Sequence, residues 1–477
     1  MARATVTRHK ILRVGFWTLG AVALLVAAAG AFTLYFFHKF NPAPPTSRFP
    51  QAANALEAQK QDITQFGRLI GMDRSFSSRA RKEANDRIAT LALEQTALDK
   101  GRFRVALMRI TALADNGHTT LYSDENGQFN YIPIRVALFE DGLYVLRAKS
   151  AYSDLLGARV EQIEGSPEHE VIAALERLHG GTVGWRSTFA AIYVQSPEIL
   201  HGARIGASPD STTWTFRLRN GAIAERVLPG EFSGDKEPHD EMTRWLSPQK
   251  MKDEPLDWHG YFASDAGLPL PLRDFNDAFR RAWIGAGHTL FIQLKAIENV
   301  DEQRIGDFLS ATADVMRARP PRNIILDLRF STGGDYTNTA HFASHLPDFL
   351  APQGHIYILT GPQTFSATIT TASFVKQAAG SRAIILGEPV GDRLAFYAEG
   401  NAGCLPHAKL CVHYATGMHD YSRPCTDWDK CYWLNWLFPV RVNSLAPNET
   451  IGLSFADYSA RRDPVFDRAV ALANLQR

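Results

Sequence analysis

Apolar and polar positions change texture several times along the chain. From Val14 to Phe37 no charged side chain occurs, a run long enough to cross a ~30 Å hydrocarbon core as a helix. Between about Pro50 and Asp99 the spacing becomes helical, most clearly from Lys82 to Leu98, and predicts two helices acting as a cap or packing element. From Phe103 to Arg147 a helix gives way to short strands at Leu121-Tyr122, Tyr131 to Phe139 and Leu143 to Arg147, with Asn126-Gly127 and Asp141-Gly142 as hairpin turns. Leu156 to Gly165 reads as a strand, Pro167 to Leu178 as a helix, and Trp214 to Leu218 with Ala222 to Leu228 as a hairpin closed by Asn220-Gly221. The stretch Gly230 to Ala282 has weak periodicity and reads as a loop or linker.

From His288 onward, apolar runs of strand length alternate with helical patterns. The predicted strands are His288 to Leu294, Asn323 to Leu328, His355 to Leu359 and Ala383 to Leu386; the helices are Asp301 to Arg319, Tyr336 to His345 and Ser366 to Ala379. Continuous apolar strands separated by helices imply an α/β fold with a largely parallel sheet covered on both faces. Active sites in such sheets gather at the carboxyl ends of the strands.

Composition then narrows the functional classes. With 477 residues, two or three domains are expected at about 150 residues each. The 51 Lys+Arg and 50 Asp+Glu leave a net charge of +1, too small for the cationic field a nucleic-acid binder uses, so no nucleic-acid partner is expected. Arg3, Arg8, Lys10 and Arg13 precede the N-terminal apolar run and only His38 and Lys39 follow it closely, which orients the N-terminus to the cytoplasm and the rest outside. A cleaved signal peptide is the competing reading, because Ala27 to Ala31 offers small residues. The run continues through Phe32, Leu34, Tyr35, Phe36 and Phe37, which favours a retained anchor. Asn41-Pro42-Ala43-Pro44-Pro45 follows as a stiff tether.

All four cysteines, Cys404, Cys411, Cys425 and Cys431, fall in one C-terminal stretch. Their spacings are wider than those of a structural zinc knuckle, and two disulfides pinning a loop outside the cytoplasm is the preferred reading. No His-Glu-x-x-His or comparable ligand spacing occurs, so neither a catalytic metal nor another cofactor is expected.

Three segments after strand ends could carry chemistry. In Asp327-Leu328-Arg329-Phe330-Ser331-Thr332-Gly333-Gly334-Asp335, the paired glycines could turn N–H groups toward an anion or could simply make a tight turn. In Leu359-Thr360-Gly361-Pro362-Gln363-Thr364-Phe365-Ser366-Ala367-Thr368, Ser366 lies at a helix N-terminus, as a nucleophile stabilised by the helix dipole or as an ordinary N-cap. In Ala114-Asp115-Asn116-Gly117-His118-Thr119-Thr120-Leu121, His118 sits on a turn entering a strand, and a lone histidine is more often structural. Gly-x-Ser-x-Gly does not occur, so an α/β-hydrolase elbow has no support.

Taken in order, the DNGHTTL segment, LFIQL, IILDLRFSTGG, YILTGPQTFSAT, IILGEPVGD and the closing FADYSARRDPVFDRAV resemble the tail-specific, or carboxyl-terminal processing, serine proteases, and their tricorn-like branch more than their Ser-Lys branch. The resemblance spans roughly Arg102 to the C-terminus. It implies a mixed, largely parallel core of the ClpP/crotonase-like type with a small β-rich, PDZ-like accessory domain. Ser366 is then the nucleophile, and Gly333 or Gly334 with Ala367 supply the oxyanion hole. The Ser-Lys branch draws its base from a segment that here reads Gly387-Glu388-Pro389-Val390-Gly391-Asp392-Arg393, without lysine. Arginine is a poor base, so the base implied is His118. Glu388 is the first candidate to orient the imidazole, with Asp420 and Asp335 as alternatives; Glu388 could equally be a cap or salt-bridge residue.

The division expected is 1–40 cytoplasmic N-terminus and anchor, 41–101 tether and helical cap, 102–150 the β-rich part carrying His118, 151–282 accessory domain and linker, and 283–477 the α/β core with a Cys-rich loop at 401–437. The accessory segment lacks an obvious Gly-Leu-Gly-Phe loop, and the Cys-rich insertion with Trp428, Trp433 and Trp436 lies outside the family's shared pattern. The function expected is a membrane-tethered extracytoplasmic serine endopeptidase acting on a peptide or protein substrate. The alternatives are an inactive lipid- or peptide-binding protein on the same fold and a different acyl hydrolase. Oligomeric state is not legible.

Overall fold

The computed structural model describes residues 2–123, 129–232, 246–250, 257–285 and 288–475. The Asn126-Gly127 turn lies outside them. The C-terminal half is built on a six-stranded sheet: β1 (Phe279–Ile284), β2 (Thr289–Leu294), β3 (Asn323–Asp327), β4 (Ile356–Thr360), β5 (Ala383–Gly387) and β6 (Glu449–Thr450), in spatial order β6-β5-β4-β3-β2-β1. All neighbours are parallel except β1, which runs antiparallel on the β2 edge. Every residue of β2, β3 and β4 is buried, because helices cover both faces. Leu290, Ile292, Ile324, Leu326 and Ile358 pack with Ile369, Ala372 and Phe374 on one side, while Phe291, Ile325, Tyr357 and Leu359 pack with Val465, Phe466 and Ala469 on the other. Inward-facing residues on both faces explain why these strands read as unbroken apolar runs rather than alternating ones.

The expected helices appear as Ile305–Ala318, Thr337–His345 and Ala367–Ala379, each within a few residues of the pattern that marked it. The stretch read as a linker is more ordered than its weak periodicity suggested, since it contains the strand Trp258–Gly260 and most of β1. β1 is an edge strand with only Phe279 fully inside, so it carries no continuous apolar signal.

A second sheet occupies the N-terminal half. Its strands Ile134–Phe139, Gly142–Lys149, Arg159–Ile163, Ser211–Arg217 and Ile223–Pro229 are antiparallel neighbours in that order, with Ser166–Pro167 and Trp258–Gly260 attached. It therefore runs continuously across the expected boundary at residue 150. The strand Thr120–Ser123 instead pairs with Leu410–Tyr414 of the C-terminal half, carrying the preceding turn to the large sheet. The cap helices Ala55–Met72 and Ser78–Ala92 form as expected. Two disulfides, Cys404–Cys411 and Cys425–Cys431, close short loops beside one another in sequence.

A single helix spans Ala2–Phe40, and its Gly20–Phe40 part is long and apolar enough to cross a membrane. Its final turns meet the folded body through Phe36 and Phe40, which pack on Tyr432 and Trp433.

Candidate active site

Two loops at the carboxyl ends of β3 and β4 lie side by side and are tied together. The Thr364 hydroxyl donates to Leu328 O (2.9 Å) and accepts from Gly361 N–H (3.0 Å). Phe365 N–H donates to Ser331 O (3.2 Å), and the Ser331 and Thr368 hydroxyls are 2.6 Å apart. Beneath them Arg329 is clamped between two carboxylates, with Nε and Nη2 on Asp327 (3.0 and 2.8 Å) and Nη1 and Nη2 on Asp463 (2.9 and 2.8 Å). The network is buried and the paired carboxylates hold the guanidinium in its charged form despite burial. It joins the LDLR segment to the Arg-Asp-Pro start of the last helix, Pro464–Leu475.

Ser366 follows directly, at the start of helix Ala367–Ala379. Its φ is 53° and ψ −127°, a backbone conformation rarely adopted outside glycine, and its side chain makes no capping bond. An N-cap serine would have extended backbone and bond the first turn; this one instead holds a conformation costing ~1–3 kcal/mol, of the kind found where a side chain must be lifted into a site. The strain is anchored at both ends, by the Thr364 bonds before it and by Ile369 N–H bonding Ser366 O (2.9 Å) after it.

His118 arrives from the other half of the molecule. Asp115 turns the chain with φ 48°, the Asn116 side chain donates to Thr119 Oγ1 and accepts from Tyr397 N–H, and Thr119 Oγ1 donates to Asp73 (2.7 Å). Gly117 passes so close to Phe365 that a Cβ there would lie 2.6 Å from the ring. The result places His118 Nε2 2.9 Å from Ser366 Oγ. The imidazole lies between two phenyl rings, Phe365 at 4.4 Å and Phe396 at 5.4 Å between centroids. Trp185 extends the stack beyond Phe365 and His419 beyond Phe396. Burial among these rings pushes the His118 pKa well below its ordinary value, so the ring is neutral at pH 7 and able to accept a proton.

The other imidazole nitrogen, Nδ1, faces Asp392 Oδ2 at 4.0 Å. Both atoms are buried, and among the described residues neither has a hydrogen-bond partner. Asp392 is held by the N–H of Arg393 (2.8 Å), and burial raises its pKa to about 6. Two unpaired, buried, complementary atoms facing each other mark the carboxylate that would orient the base; such bonds commonly tighten only when substrate is bound. Glu388 is not brought there. It is exposed, and its backbone bonds Thr360 at the carboxyl ends of β4 and β5. Asp420 accepts from Ser422 and Arg423, and Asp335 is exposed and bonds Thr337 N–H. The cause is simple: the turn Pro389 to Gly391 carries the chain from the sheet end back toward Gly117, and these three residues separate the exposed glutamate from the buried aspartate.

The glycine pair lies against Ser366. A Cβ on Gly333, whose φ is +125°, would lie 2.8 Å from Ser366 Cβ and 3.3 Å from Ala367 N. Gly334, at φ +134°, is equally tight against Ile297, and Gly333 O and Asp335 N–H are both pinned to that residue. Ala367 opens the helix, so its N–H has no intrahelical acceptor. Glycine backbone and a helix N-terminus thus border the Ser366 hydroxyl from one side, with His118 on another.

The fold has counterparts among solved structures. Mature CPAF complexed with lactacystin superposes with a TM-score of 0.54 at 13% identity, covering 88% of this chain and 99% of that one. The chain has the tail-specific protease fold. A second structure of mature CPAF gives 0.51 at 13% identity over 85% and 95% of the two chains, and the photosystem II D1 C-terminal processing protease is a more distant likeness, at 0.38 and 9% identity over 82% and 93%. No family model and no curated protein matches the sequence.

Proposed function

We propose that this protein is a serine endopeptidase, anchored by its N-terminal helix with the folded domain outside the cytoplasm, and that Ser366 attacks the peptide carbonyl. The observation that carries the reading is the 2.9 Å approach of a neutral, buried His118 to a serine whose backbone is held at φ 53°. His118 Nε2 takes the hydroxyl proton as the acyl bond forms, Asp392 steadies the resulting imidazolium through Nδ1, and the proton passes to the leaving amine. Water then hydrolyses the ester by the same route reversed. The oxyanion is received by N–H groups of Gly333 or Gly334 and of Ala367, where donors already in place stabilise developing charge without rearranging. The PDZ-like accessory domain for substrate, at 151–282, contributes the strands Arg159–Ile163, Ser211–Arg217 and Ile223–Pro229. The paired cysteines and the charge asymmetry around the apolar helix favour the extracytoplasmic orientation.

The test is labelling of the full-length detergent-purified protein by a fluorophosphonate, followed by peptide mapping. Ser366 should carry the adduct and Ser366→Ala should abolish it. In His118→Ala the labelling rate should fall about 10²–10⁴-fold, the range a positioned base supplies, with the thermal midpoint unchanged. A folded sample that takes no adduct, or takes it on another residue, would sink the assignment and favour a binding protein on this fold.

A further inference from the structure

The second disulfide loop is unexplained by the catalytic geometry. Cys425–Cys431 closes a six-residue separation, and Trp428 within it stacks on Trp433 (4.0 Å between centroids) and lies 5.0 Å from Trp436. Trp433 is buried, but Trp428 and Trp436 are 49% and 42% exposed and the adjoining Leu437 is 73% exposed. Three large apolar side chains thus face outward on one rigid surface. The indole N–H groups of Trp433 and Trp436 are already bonded within the loop, to Trp428 O (2.9 Å) and Cys425 O (3.1 Å), so these rings can leave water without stranding a donor.

What covers this surface is indicated by its neighbour. Trp433 lies against Phe32, Tyr35, Phe36 and Phe40 of the N-terminal helix, with centroids 5.3–5.8 Å apart. The charge-free run Val14–Phe37 is long enough to cross a ~30 Å hydrocarbon core as a helix, which sets the outer boundary near Phe37. Phe32 lies five residues, or ~7.5 Å, inside that end. Trp433, two residues beyond the disulfide, touches Phe32 and so reaches below the level at which the helix leaves the lipid, and Trp428 of the loop stacks on it. Lys39 bonds Asp429 of the same loop (2.8 Å) at the helix exit, at the depth where charged groups return to water.

We infer that the Cys425–Cys431 loop, with Trp428, Trp436 and Leu437, is a second membrane contact that inserts into the outer interface of the bilayer beside the helix. The proposal rests on the reading of the helix as an anchor. Trp at the headgroup level is favourable because the ring is apolar and the edge polar. Two contacts, a helix and a disulfide-closed loop packed on it, would fix how the domain sits on the membrane, where a flexible tether alone would let it tumble.

The experiment uses the full-length protein in phosphatidylcholine vesicles containing a phosphatidylcholine with a photoactivatable diazirine high on one acyl chain, irradiated and mapped by peptide. Adducts are expected on the helix peptide and also on the 425–437 segment, and the loop adducts should be lost in a Trp428→Ser, Trp436→Ser, Leu437→Ser variant that retains fluorophosphonate labelling. A labelled helix with an unlabelled loop would overturn the proposal and leave the anchor reading standing. A loop cross-linked to a second copy of the chain instead of to lipid would overturn it too. Protein that fails to float with vesicles, with neither segment labelled, would remove the anchor reading and the loop proposal together.

Discussion

The serine-bearing turn and the histidine-bearing turn meet at 2.9 Å, yet they are held by different physics. Ser366 is placed by backbone: a strained φ, the paired Thr364 bonds, the Ser331–Thr368 contact and the Arg329 clamp all converge on the ends of β3 and β4. His118 is placed by packing. Its ring is stacked between Phe365 and Phe396, and the Asp392 carboxylate that faces Nδ1 is 4.0 Å away. The contrast concerns the ring alone, since the His118 turn is itself pinned by hydrogen bonds through Asn116, Thr119 and His413.

The largest expected effect breaks the rigid half. Arg329→Met leaves Asp327 and Asp463 buried without their cation, and removing one partner of such a network costs about 3–5 kcal/mol. The denaturant midpoint should fall accordingly, and an unchanged midpoint would show that the clamp is not what holds the nucleophile loop. Smaller, and confined to chemistry, is Asp392→Asn. The fluorophosphonate labelling rate should fall about 10²-fold, toward the low end of what a correctly oriented base contributes. The sign of its pH effect follows from charge: without the neighbouring carboxylate the imidazolium is less favoured, so the acid limb of the labelling profile should move to lower pH than in the parent protein. Movement to higher pH would rule Asp392 out as the orienting group.

The mildest change is Phe396→Leu, which removes one face of the stack around His118 while nearly conserving volume. Stability should fall by about 1 kcal/mol or less, and labelling should slow with no shift of the acid limb. A rate equal to the parent's would mean that Phe365 alone suffices. Together with Asp392→Asn this separates positioning by packing from positioning by charge.

Much of the architecture was legible because the physics that shapes it is local. A strand buried on both faces needs an unbroken apolar run, and β2, β3, β4 and β5 each carried one. Helix periodicity, the glycine pair at Gly333-Gly334 and the uncharged stretch ending at Phe37 are likewise properties of short segments. Ser366 and His118 could be named as candidates because each lies on a turn beside a strand in a recognisable order of motifs. The edge strand β1 escaped notice because only one of its six residues is buried, and an edge facing solvent imposes no apolar period.

The rest was decided by contacts between distant segments. Nothing in Gly387 to Arg393 says which acid points inward; that depends on the turn returning to Gly117, more than 270 residues earlier in the numbering, where the Asp392 carboxylate becomes buried beside His118 and the Glu388 carboxylate does not. The continuous antiparallel sheet across residue 150, the ring stack from Trp185 to His419 and the seating of Trp433 on Phe32 and Phe36 have the same origin. Sequence by itself determined which segments would be buried, turned or apolar, since those are free energies of single segments in water. Tertiary structure alone decided which side chains face one another, because that energy exists only once two segments are brought together.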